Sequence, residues 1–217
     1  LRVEKTWVPF LLMPGLDPNR KVLKRASYLK KFRGDAGKVE AMGAKLRRLF
    51  AEVEVEGGAV AYTLEGHLGS SLHAHRVAEL AKDVSPECQT RFLLEVMRRY
   101  HEEGLAPSDL ENLQENADAC GLGITDMREW IDSGAKLDEV AAALATRPTN
   151  FPLMSGVPFF HFSVPDANDG TQVKAVVPGA QDTHTFALVL AKLFRRAGYA
   201  PLDLSKLASA HMAHSRV

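Results

Sequence analysis

After Ala145 the sequence changes period, and that change restricts the fold more than any other feature. From Lys21 to Ala145 apolar residues recur mostly at helical spacing. Val39, Met42, Leu46, Leu49, Phe50 and Val53 mark one such helix. Val157–Val164 and Gln172–Val177 are instead rich in strand-favouring residues, and the turn-forming run Pro165-Asp166-Ala167-Asn168-Asp169-Gly170 between them predicts a hairpin. A last helix is expected over Thr183–Arg196, with a short terminal one over Leu202–Ala213. Ahead of the helical block, Trp7–Leu12 reads as the end of a short strand, with Pro9 at its edge because proline cannot donate to a ladder. The order strand, helical block, hairpin, helix does not suit a plain doubly wound sheet. It predicts an α/β fold in which a small mixed sheet is interrupted by a helical insertion.

Within the block, local chemistry marks the helix ends. Helices are expected from Lys21 to Phe32 and from Lys38 to Glu54, the latter stopped by Gly57-Gly58. Ser70 or Ser71 opens a helix reaching Lys82, and Ser85-Pro86 opens the next with serine as cap and proline in the first turn. Ser108-Asp109-Leu110-Glu111 has the pattern of a capping box, with Ser108 as cap. Thr125 starts a further helix, and Leu137–Ala145 is another.

Composition narrows the function classes. The chain has 217 residues with 27 basic and 27 acidic side chains, so no global field gathers nucleic acid or an anionic membrane. The basic runs at Lys21–Arg25 and Lys45–Arg48 suit solvated helix faces. No apolar run approaches the roughly 20 residues that span a bilayer. Cys88 and Cys120 are too few for a disulfide-stapled secreted scaffold, and a soluble cytoplasmic protein is expected. They stand 32 positions apart and read as buried, inert thiols, as a disulfide, or as one redox-sensitive thiol. His73 and His75 differ by about 200° around a helix and cannot share one metal ion easily. His73 falls on the apolar face as a structural histidine satisfied by partners. His184 sits in the first turn of the last helix, and His211 and His214 lie near the terminus. No metal site is assigned.

Ser155-Gly156-Val157-Pro158-Phe159-Phe160 resembles the cis-proline loop of thioredoxin-type oxidoreductases. Trp7–Leu12, Ala74-His75-Arg76, Gly121-Leu122 and Gly179-Ala180-Gln181 match in the same order. Together they resemble the DsbA-like thioredoxin-fold family, most closely its FrnE-type and 2-hydroxychromene-2-carboxylate isomerase-like branch, over about residues 3–198. The resemblance implies a thioredoxin-like fold with a large all-helical insertion. Residues 1–18 and 151–200 would be the two parts of the thioredoxin-like domain, 19–150 the insertion and 201–217 a tail.

It also implies site residues. Pro158 would be the cis proline, a donor-free surface beside a nucleophile, with Val157 and Gly156 offering backbone to an extended peptide or thiol. His75 and Arg76 would border the cleft, a solvated helix face being the alternative. Leu1 already lies in what resembles the family's second strand. The first strand, and the helix start carrying Cys-Pro-x-Cys or a serine, are therefore expected ahead of it. Without that central strand two sheet edges would stand open, unless the tail from Leu202 or a partner chain fills the gap.

Three functions follow from the resemblance. The first is a DsbA/FrnE-like thiol–disulfide oxidoreductase acting on protein or small-molecule thiols and disulfides, with no cofactor. The second is a glutathione-dependent isomerase or transferase, in which serine stabilises the glutathione thiolate. The third is a non-catalytic binding protein. The isomerase branch further implies a homodimer.

Overall fold

The computed structural model describes residues 3–52, 54–55, 58–151 and 153–201. The helix expected over Leu202–Ala213 lies outside them. Two compact units divide the chain, Leu1–Arg147 and Pro148–Val217.

The first unit is mainly helical. Strand β1 (Lys21–Leu23) runs antiparallel to β4 (His67–Gly69), with Val22 opposite Leu68. This corrects the helix expected from Lys21: α1 spans only Lys24–Lys31, because the three residues before it take β4 as partner. Helix α2 (Ala36–Ala51) starts at Asp35, whose carboxylate accepts from the Lys38 amide at 3.0 Å. A two-residue-by-two-residue hairpin, β2 (Glu54–Val55) with β3 (Gly58–Ala59), follows it.

Helices α3 (Leu72–Val84) and α4 (Pro86–Glu102) meet at Ser85, which ends the first and caps the second by accepting from the Cys88 amide. Helices α5 (Leu110–Ala119), α6 (Met127–Asp132) and α7 (Leu137–Asn150) complete the block. Two caps fall one residue later than expected. Asp109 rather than Ser108 accepts from the Asn112 amide, and Asp126 rather than Thr125 accepts from Glu129. A carboxylate is the stronger acceptor at the positive end of a helix, so register follows the aspartate in both.

The core of this unit is a small-to-large interface. Ala74, Val77, Ala78 and Ala81 line α3, and Phe92, Leu93 and Val96 of α4 fill the space the alanines leave. Leu113, Ala117, Met127 and Ile131 close it from α5 and α6. A smaller cluster holds Val39, Tyr62 and Leu64 against α1 and α2.

Trp7–Leu12 is not a strand; no described strand lies beside it. Side chains supply its hydrogen bonds instead. Gln89 accepts from the Trp7 amide at 3.0 Å and donates to the Trp7 carbonyl at 3.1 Å, and His75 Nε2 donates to the Phe10 carbonyl at 3.0 Å.

The second unit is a hairpin with one helix. Strands β5 (Phe159–Pro165) and β6 (Gln172–Pro178) pair antiparallel, from Phe159 opposite Pro178 to Pro165 opposite Gln172. The turn closes as the Asp166 amide donates to the Thr171 carbonyl at 2.7 Å. Helix α8 (Thr183–Arg196) starts at Asp182, which accepts from the Thr185 amide at 2.7 Å. Val177, Leu193 and Ala197 are buried, and Phe186 meets Phe160 edge-on at 4.8 Å.

Candidate functional site

Two of the sequence motifs come together at the head of the hairpin. The Val157–Pro158 peptide bond is cis, and Phe159 then enters β5. The Pro158 carbonyl accepts from the Gly179 amide at 2.8 Å, and Gln181 Nε2 donates to the Pro178 carbonyl at 3.1 Å. Gly179 holds φ +76, a backbone region that side chains rarely adopt, which is why glycine stands at this turn. The loop is thereby tied to the turn that delivers α8.

The outer side of the loop is open. A Cβ added at Gly156 would meet nothing within 4 Å, and Val157 is 46% exposed. Leu153 and Phe160 are also exposed, so apolar side chains accompany the free backbone of Gly156 and Val157. His161 was not singled out from the sequence. It stands three residues past Pro158 with its ring edge-on to Phe151 at 5.5 Å. Burial first, and the nearby Lys174 charge second, lower its pKa and favour the neutral ring.

The remaining candidates belong to the helical unit. His75 is half-buried on α3 and spends Nε2 on the Phe10 carbonyl; burial is the main cause of its lowered pKa. The cavity it lines with Trp7, Pro9 and Gln89 is about 40 Å³, room for a water or two. Arg76 is buried, not at a surface: it donates to the carbonyls of Ala135 at 2.7 Å and Ile131 at 2.9 Å, and lies over the Trp130 ring. Its planar fork satisfies the open carbonyls where α6 ends.

His73 is buried as expected but only half satisfied. Nε2 faces Asn19 Oδ1 at 3.5 Å, while Nδ1 has no partner among the described residues. Cys88 and Cys120 are free thiols. Among the described residues no group of three or more His, Cys, Asp or Glu could hold a metal, and no described helix is long and apolar enough to cross a membrane.

One cluster escaped the sequence reading. Lys24 is buried, donates to the Tyr100 carbonyl and sits 3.9 Å from the centre of the Tyr100 ring. Burial lowers its pKa to about 8 and lowers that of neighbouring His101 to about 4, the Lys24 charge adding to the latter. Lys24 lies within the basic run Lys21–Arg25 that reads as a solvated face, and its burial corrects that reading at this position, because tertiary packing rather than sequence turns it inward.

Among solved structures, a probable DsbA oxidoreductase from Streptomyces coelicolor is similar in fold. It shares 24% identity and a TM-score of 0.64, over 90% of this chain and 76% of that one. No curated protein matches at comparable significance. The model of the DSBA-like thioredoxin domain matches residues 2–191, nearly the whole sequence. The chain belongs to the DsbA-like thioredoxin family.

Proposed function

We propose that the protein is a thiol–disulfide oxidoreductase of the DsbA/FrnE type. The reading rests on the Gly156–Pro158 loop, seated at the head of the β5–β6 hairpin in a chain matched to this family over residues 2–191. In it, residues 1–18 and 151–200 form the thioredoxin-like domain around the insertion 19–150. Pro158 flanks the nucleophile without offering it a donor or a ligand. Val157 and Gly156 present main chain to an extended substrate.

The nucleophile is the first cysteine of a pair at a helix start, ahead of Leu1, where open amides favour the thiolate. It attacks a disulfide sulfur, one thiolate leaves with the electron pair, and the second cysteine resolves the mixed disulfide. Substrates are protein or small-molecule thiols and disulfides. The reading places the protein in the cytoplasm; a homodimer belongs to the isomerase alternative.

Intact mass and N-terminal sequencing of the protein from its native source, followed by a dithiol-peptide oxidation assay, test this. A Cys-x-x-Cys pair upstream together with exchange activity is the expected result. A serine at that position, with glutathione binding and no exchange, would replace the reading by glutathione-dependent isomerase or transferase chemistry.

A further inference from the structure

The two cysteines of the helical unit, distant in sequence, meet in the fold. Cys88 lies in the first turn of α4, its amide held by Ser85 Oγ at 3.0 Å. Its sulfur lies 3.8 Å from the Cys120 carbonyl oxygen. Cys120 caps α5 and packs, half-buried, against the core cluster that contains Cys88. The main chain there is fixed: Cys120 donates to Asn116 at 3.1 Å, and Leu122 donates to Ala117 at 3.0 Å across left-handed Gly121.

We propose that Cys88 and Cys120 are a dithiol of their own, which closes to a disulfide by exchange with an external disulfide. The two positions differ in a way that orders the steps. Cys88 is buried, and that burial, with the Cys120 sulfur adding to it, raises its pKa and keeps it a thiol. Cys120 is the more accessible of the two residues.

Cys120 thiolate attacks one sulfur of an external disulfide; that S–S bond breaks, and one thiolate leaves with the electron pair. Cys88 then gives its proton to solvent and attacks Cys120 Sγ, expelling the second thiolate. Two protein thiols are oxidised and one external disulfide is reduced to two thiols, with no other oxidant. The product ties the first turn of α4 to the end of α5, which a sulfur already against the partner's main chain is placed to do.

Oxidised glutathione is the probe, applied to the intact protein, with acid quench, N-ethylmaleimide labelling and tryptic mass spectrometry. The expected product links the peptides Asp83–Arg91 and Tyr100–Arg128, lighter than the reduced pair by two hydrogens. Its Tm should rise by about 10 °C over the reduced form. Cys88→Ala should stop at a glutathione adduct on Cys120.

Wild-type protein that retains both thiols as maleimide adducts, or that stays glutathionylated at Cys120 with Cys88 free, overturns the proposal. Because both peptides are mapped directly and the wild type suffices, a variant that fails to fold does not obscure the result. Cysteines elsewhere in a longer chain give different peptides, so failure of the upstream redox reading is distinguished from failure of this one.

Discussion

At the scale of single residues, three positions behave very differently under small changes. Gly66 and Gly104 face each other at φ +86 and +76, and a Cβ at Gly66 would stand 2.2 Å from the Gly104 carbonyl oxygen. The atoms in the way are all main chain, so Gly66→Ala is expected to cost about 3 kcal/mol, read by urea unfolding. Gly156→Ala meets open space and no left-handed backbone, so stability should hold or rise by up to about 1 kcal/mol. If the loop binds extended substrate there, KM for a disulfide peptide should rise in the same variant. His101 carries a pH signature. Its pKa is held at about 4 against an ordinary 6.5, so between those values the unfolded chain binds a proton the folded one refuses. Its contribution is fully present above pH 6.5 and lost as pH falls towards 4. The stability gap between wild type and His101→Gln should shrink over that window in urea titrations.

At the scale of elements, side chains decide how segments attach. Gln89 is 1% exposed and substitutes for a neighbouring strand along Trp7. Gln89→Ala strands a donor and an acceptor and is expected to cost about 2 kcal/mol. Faster hydrogen exchange around Trp7, with α3 and α4 still protected, would locate the loss. Elements with local signals were legible in the sequence. Thr183–Arg196 and the Ser85-Pro86 helix start match their expected positions, and the β5–β6 hairpin matches within two residues, because caps and turn residues act within a few positions. The Gly156–Pro158 loop was singled out by family resemblance, not by such local signals, since an X–Pro bond is ordinarily trans. Trp7–Leu12 was misread because its partner is a side chain 82 positions away. β1 was missed because three residues preceding a helix show no strand period, and their pairing with His67–Gly69 is non-local. The inward aim of Lys24 and Arg76 is likewise set by what surrounds them, not by neighbours in sequence.

At the scale of the whole molecule, equal numbers of acidic and basic side chains leave no net field to steer a charged substrate. In the proposed function, recognition would then fall to local surface, such as the exposed apolar side chains by the Pro158 loop. The two units also have separate cores. Leu193 is 1% exposed in the hairpin unit, and Leu193→Ala should cost about 3 kcal/mol there, read by the exchange of β5 and β6 amides. The probe matters, since both tryptophans of the chain, Trp7 and Trp130, press on the same helical core. Residues 148–217 contain phenylalanines and Tyr199 but no indole, so the emitting side chains all sit on the helical core. A fluorescence melt would follow the loosening of that core. A circular-dichroism trace departing from it would be the optical signature of the hairpin unfolding at its own temperature.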